Sequence, residues 1–261
     1  MTKIRHIRDF IGETAPWDTK LSFDNVGLLV GDAERTVTRV LLALDITQAV
    51  IEEAAEFGAE LIISHHPVIF INPLTSVTPE TASEALALAE RKIAAICAHT
   101  NLDAAPDGVN FHLAKRLGLV EPYEAFASDG IGRIANLPCP VTMTEFLKTV
   151  SGELRTPVRY YDSGCAVSRV AVCGGSGGDY VAAEQIARHG FDTLVTADIK
   201  HGQWLNASKL GLNLIDADHF ATENVIIPVM RDRISERFPE IEARVSTRYG
   251  QTVRFFGWAS A

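Results

Sequence analysis

The chain has 261 residues, 47% of them apolar, and a formal net charge of −9 at pH 7. That length allows two modest domains or one large one with a substantial core, and the composition shows no depletion of the kind that marks disorder. An acidic chain without a Lys/Arg cluster disfavours nucleic acid as a partner, no apolar run reaches bilayer length, and the start, Met1 to Ile7, lacks a signal-peptide hydrophobic region; the expected compartment is the cytoplasm.

Ile4, Ile7, Phe10 and Ile11 recur at helical spacing, which predicts a helix from Ile4 to Glu13, broken by Pro16 and the segment to Asn25. Asp24-Asn25-Val26-Gly27 reads as a turn. Val37 to Leu44 is a predicted strand, followed by Asp45 and Thr47 as turn and N-cap candidates. Ala49 to Phe57 is a helix with Gly58 just past its end, and Leu61 to Ile63 a second strand. Thr78-Pro79 opens a helix running to about Lys92. Ile93 to Ala98 is a third strand, and Val109 to Leu117 a helix closed by Gly118.

The second half repeats the scheme. Arg169 to Gly175, Val181 to His189, Asp192 to Asp198 and Leu212 to Asp216 match the first-half elements in order, and Val225 to Phe238 adds a final helix. Strands alternating with helices imply an α/β fold: two similar α/β domains related by an internal pseudo-repeat, with largely parallel sheets flanked by helices. Such sheets bind ligands at the carboxyl ends of their strands. The loop-rich stretch Ala125 to Pro140 suits a junction, which gives domains of 1–124 plus 240–261 and of 125–239. The alternation in Ala243 to Gly257 predicts a terminal hairpin on one sheet.

Three pieces at predicted strand ends carry metal-liganding side chains. These are Ser64-His65-His66-Pro67, His99-Thr100-Asn101-Leu102-Asp103 and His219-Phe220-Ala221-Thr222-Glu223. One histidine at a strand end is usually a hydrogen-bonded structural residue, but three such pieces at equivalent ends of two matching halves point to a metal centre. Adjacent side chains on an extended segment face opposite ways, which disfavours chelation of one ion by both His65 and His66; each could serve a different ion if the chain bends at the strand end. The four cysteines form no C-x-x-C pair; Cys97 and Cys173 lie in apolar runs as buried thiols, so nitrogen and oxygen would build any site. Gly174 to Gly178 reads either as a phosphate-binding nest or as a tight turn.

In this order and spacing, several motifs are specific. They are Phe23-Asp24-Asn25-Val26-Gly27-Leu28, Ser64-His65-His66-Pro67, His99 to Asp103 with Gly108-Val109-Asn110, Gly130-Ile131-Gly132-Arg133, Val172 to Gly177, and His219-x-x-Thr222-Glu223. Along nearly its whole length the chain resembles the dinuclear-metal-centre hexameric protein family, also called GTP cyclohydrolase I type 2 or NGG-interacting-factor-three-like. The resemblance implies a toroidal homohexamer with metal sites facing an interior cavity, and two divalent ions per subunit (Zn, Fe, Mn, Co or Ni) between the domains. Carried over by position, His65, His66, Asp103, His219 and Glu223 become the metal ligands, with a carboxylate bridging. His99 becomes a catalytic, substrate-facing residue that shuttles protons. This chain departs from the family pattern at Phe23 (usually Trp), Ala197 (usually Gly) and Asp218 (usually Gly), and an acid beside His219 could orient its ring or alter metal preference. It has no room for the inserted middle domain of longer members.

The function implied is a metal-dependent hydrolase of GTP cyclohydrolase type, in which metal-bound hydroxide opens the purine imidazole ring of a phosphorylated small-molecule substrate. The alternatives are a non-enzymatic hexameric metal-binding scaffold that binds a partner, and a two-metal nucleotide phosphoesterase.

Overall fold

The computed structural model describes residues 1–70, 76–126 and 130–254. In chain order the helices are α1 (Ile4–Thr14), α2 (Gln48–Phe57), α3 (Pro79–Glu90), α4 (Thr100–Ala104), α5 (Val109–Arg116), α6 (Met143–Leu154), α7 (Ala183–His189), α8 (His201–Leu210), α9 (His219–Glu223) and α10 (Ile226–Arg237). The strands are β1 (Gly27–Val30), β2 (Arg39–Ala43), β3 (Leu61–Ser64), β4 (Ala94–Cys97), β5 (Val120–Phe126), β6 (Gly132–Val141), β7 (Arg159–Tyr161), β8 (Val167–Val172), β9 (Thr193–Thr196), β10 (Asn213–Asp216) and β11 (Glu242–Val245). Two compact units result, one from Met1–His112, Asp129–Ile131 and Asn224–Tyr249, the other from Leu113–Ser128, Gly132–Glu223 and Gly250–Ala261.

The first unit holds a five-stranded sheet in the order β1-β4-β3-β2-β11. Strands β11, β2, β3 and β4 are parallel, and β1 is antiparallel to β4. All four residues of β3 and of β4 are buried, as expected of parallel strands covered on both faces. Helix α2 begins at Thr47, whose hydroxyl accepts from the Val50 amide, and ends at Gly58 in the left-handed region (φ 72°). Its buried stripe of Val50, Ile51 and Ala54 joins Leu41, Ala43, Ile62 and Ala95 in one core. Helix α10 packs on β11 and β2, which places it in this unit.

The second unit holds a six-stranded sheet in the order β5-β6-β8-β9-β10-β7. Here β8, β9 and β10 are parallel, while β6 on β8, β5 on β6 and β7 on β10 are antiparallel. Both units therefore contain the same motif: three parallel strands in consecutive order, with a short antiparallel strand beside the last. The α/β reading with a repeated unit holds.

Three sequence expectations change. The stretch read as a loop-rich junction is mostly strand, since β5 and β6 pair across it; Ile134 and Ala135 of β6 are buried and supplied the overlooked apolar signal. Ser128 and Asp129 of that stretch lie outside the described residues. The turn expected at Asp24 to Gly27 leads directly into β1, an edge strand. The tail contributes one strand, β11, parallel to β2, and Val253 lies in no strand; Phe255 falls outside the described residues. A hairpin would need an antiparallel partner, whereas α10 carries the chain back to the start of β2 and sets β11 parallel.

Candidate metal centre

Strand register explains how the first unit gathers its histidines. In the parallel pairs, Ala43 faces Ser64 and Ser64 faces Cys97. Two residues beyond those ends, the same register aligns Asp45 with His66 and His66 with His99. The side chains meet accordingly: His66 Nδ1 donates to Asp45 Oδ1 (2.6 Å), and His65 Nδ1 donates to the Ala98 carbonyl (2.8 Å). On the other side of β4 the antiparallel register, Gly27 opposite Cys97, extrapolates to Asp24 opposite Thr100. Asp24 accepts from the Thr100 amide (3.0 Å), the Thr100 hydroxyl (2.5 Å) and His99 Nδ1 (2.9 Å).

The three imidazoles cluster closely. Ring centroids lie 5.2 Å apart for His65 and His66, 5.1 Å for His65 and His99, and 5.6 Å for His66 and His99. Liganding atoms from all three fall within 4.8 Å of one another. The opposed directions expected for His65 and His66 do not occur, because β3 ends at Ser64 and the pair occupies a bend where strand alternation has ceased. His65 is fully buried, and its Nε2 lies 3.5 Å from Asp103 Oδ1. Asp103 comes from α4, the short helix whose N-cap is His99.

The second unit gathers His219 and Glu223 on α9. His219 Nε2 lies 3.0 Å from Glu223 Oε2, and Nδ1 donates to Asp198 Oδ2 (2.6 Å). Again the register is the cause: Asp216 of β10 faces Thr196 of β9, and Asp198 follows two residues later. Asp218, the acid beside His219, caps the helix. Its backbone is left-handed (φ 69°), the conformation that favours Gly there, and its Oδ1 accepts from the Ala221 amide (3.0 Å) as a cap on α9.

Two carboxyl–imidazole contacts shift protonation. Burial alone would raise the Asp24 carboxyl, but hydrogen bonds from His99 and Thr100 outweigh it and hold the group well below the ordinary carboxylate range. Burial would likewise depress the His219 imidazolium, yet Glu223 and Asp198 override this and raise it to about 9. Without metal that ring is a cation at neutral pH, so an ion at Nε2 must displace its proton.

A family model described as Duf34/NIF3 (NGG1p interacting factor 3) matches residues 2–251. The chain belongs to this family. A relative from Clostridium perfringens, named GTP cyclohydrolase 1 type 2 homolog, is 34% identical over 90% of this chain and 92% of its own length. The crystal structure of a Staphylococcus aureus hypothetical protein superposes with a TM-score of 0.88 at 31% identity, covering 97% of this chain and 99% of that one. HcgD from Methanocaldococcus jannaschii, in its reduced form, gives 0.82 at 27% identity, covering 95% and 98%.

In this Duf34/NIF3 chain, all four histidines share one arrangement. In His65, His66, His99 and His219 alike, Nδ1 donates to an oxygen (the Ala98 carbonyl, Asp45, Asp24 or Asp198), which holds the ring in place and sets Nε2 as the atom turned toward an ion, with the His219 Nε2 proton leaving first. Nitrogen and carboxylate donors held this way could hold a divalent ion. Reading residues one motif at a time missed the three supporting acids. Asp45 and Asp198 each stand two residues past a strand that neighbours a histidine-bearing one, and that position was the available signal.

Two amides of the glycine run point inward, to threonine hydroxyls. The Gly175 amide donates to Thr222 Oγ1 (3.0 Å) and the Gly177 amide to Thr196 Oγ1 (2.8 Å). A Cβ on Gly175 would stand 2.1 Å from Glu223 Oε1, and one on Gly177 would stand 2.4 Å from Thr196 Oγ1. Glycine here lets the loop pass close to the candidate ligand Glu223.

Proposed function

We propose that the protein is a divalent-metal-dependent hydrolase that binds two ions through His65, His66, Asp103, His219 and Glu223. Its substrate class is a purine nucleotide, and the reaction is the hydrolytic ring opening of GTP cyclohydrolase type. The observation that carries this reading is the shared tethering of four imidazoles by Nδ1. That geometry orders each Nε2 before an ion arrives, the arrangement typical of metal-ligating histidines. The name carried by the Clostridium perfringens relative supports the reaction class.

When bound, the ions would supply Lewis acidity and lower the pKa of an attacking water. The chain's own residues do the rest. Asp24 holds the His99 ring by Nδ1 and presents Nε2 beside His65 and His66, where it can exchange a proton with substrate or water. The inward use of the Gly175 and Gly177 amides removes one expected grip on phosphate. That observation favours, as second reading, a metal-binding assembly without catalysis.

Elemental analysis and a nucleotide panel on one preparation test the proposal. Metal-replete protein should hold about two divalent ions per chain, release formate from GTP, and behave as a homohexamer in light scattering. Release of inorganic phosphate instead would transfer the assignment to a phosphoesterase. Full metal occupancy without turnover of any nucleotide would leave the scaffold reading.

A further inference from the structure

Two large aromatic side chains stand exposed beside the first-unit histidine cluster. Phe23 is 59% exposed and Phe70 is 56% exposed, a costly position for rings of this size. They are not scattered. Their centroids lie 6.4 Å apart with planes tilted by 52°, and Phe70 is 6.5 Å from the His99 ring. The loops that carry them are tied together, since Asn25 Nδ2 donates to the Ile69 carbonyl (2.7 Å). Asp24, between Phe23 and Asn25, is only 1% exposed and holds His99. Three consecutive residues thus have separate effects: Asn25 fixes the opposite loop, Asp24 fixes the imidazole, and Phe23 projects into solvent next to both.

We propose that Phe23 and Phe70 form a platform that stacks the planar heteroaromatic ring of the substrate beside His99. The proposal rests on the hydrolase reading above and adds the residues that select and position the ring. A flat π-system is the ligand these groups fit. Offset or edge contacts with an aromatic ring at 4.5–7 Å are favourable, and stacking tolerates any base while demanding planarity. Reactive atoms of a ring held there would lie next to the imidazole cluster, whereas a saturated or purely phosphate ligand would gain nothing from the pair.

The test compares GTP with inorganic triphosphate by calorimetry on the metal-loaded protein, using Phe23→Ala, Phe70→Ala, Phe70→Leu and Phe23→Trp. Each alanine variant should bind GTP about tenfold more weakly, and Phe70→Leu should do the same despite its apolar bulk. Phe23→Trp should bind at least as tightly as the parent. Triphosphate affinity and metal content should not move in any of them. Unchanged GTP affinity in both alanine variants, or equal loss of GTP and triphosphate, overturns the platform. A parent that retains its metal yet binds no purine or pyrimidine nucleotide overturns it too, and leaves the metal assignment standing. A parent that binds GTP without metal, with the Phe23 dependence intact, overturns the metal reading and keeps the platform. Finally, a changed oligomeric mass in the alanine variants with GTP affinity intact would assign the pair to a subunit contact instead.

Discussion

The two His-x-x-x-acid motifs have the same spacing and the same setting, a short helix directly after a parallel strand, yet their side chains are connected differently. On α9 the motif closes on itself: His219 Nε2 lies 3.0 Å from its own Glu223. On α4 it opens: His99 is held from the far side by the buried Asp24, and Asp103 approaches His65, just past the end of β3. The supporting acids differ as well, since Asp198 is about half exposed while Asp24 is sealed. A repeated backbone therefore does not repeat its chemistry, because each side chain's partner is chosen by the strand next door.

The comparison can be broken most directly at the candidate ligands. His65→Ala in the first unit and Glu223→Ala in the second should each lower metal affinity by more than the roughly 10–100-fold that loss of a supporting partner costs. Elemental analysis after dialysis reads the outcome, and unchanged content in either variant removes that residue from the set.

The supporting acids should separate stability from binding. Asp24→Asn turns an amide donor toward the donors on Thr100 and His99 inside a sealed site, so unfolding should become easier by about 2–3 kcal/mol in denaturant titration. Asp198→Asn should leave the unfolding midpoint nearly unchanged while lowering metal affinity by about tenfold. The pH dependence follows from the sign of the Asp24 shift. Its folded-state carboxyl sits below the ordinary value of 3.8, so its contribution is complete above that pH and fades as acid protonates the folded state. Asp24→Asn should therefore flatten the acid limb of stability against pH; an unaltered limb would contradict the assignment.

Gly175→Ala offers a smaller perturbation confined to the second unit. Its Cβ would collide with Glu223 Oε1 and impose a side chain at φ 64°, so the variant should lose about 1 kcal/mol and bind metal more weakly. Gly152→Ala, inside α6 with open space around the added carbon, is the contrasting control: it should stabilise the fold by about 0.5–1 kcal/mol and leave metal binding unchanged.

The mildest contrast is thiol reactivity. Cys139 and Cys165, both exposed, belong to the second unit, whereas burial pushes the Cys97 thiol of the first unit up to about 11. A thiol reagent at pH 8 should label the second unit quickly and leave Cys97 unreacted until the protein unfolds. Fast labelling of Cys97, mapped by mass spectrometry, would count against a sealed β3–β4 core.

Much of this was legible in the chain. The helix caps at Thr47 and Gly58 and the apolar strands around them were visible because each depends on neighbours within a few residues. The short antiparallel strands β1, β5 and β7 were not, since edge strands of three to seven residues with mixed burial carry little periodicity of their own. The site shows the same division. The histidines and their acids stood out by type and spacing at strand ends, while Asp24 and Asp45 looked like turn residues and Asp198 like the end of a strand segment.

The sequence by itself determined the order of strands and helices, their repetition, and which imidazoles and carboxylates end up at strand termini, because propensity, capping and periodicity act locally. Only the tertiary structure decided which oxygen holds which Nδ1, that His65 and His66 lie on the same side, and that the glycine run closes on Thr222 and Thr196. Those choices depend on register between strands far apart in the chain, and register is fixed when the sheet forms, not before.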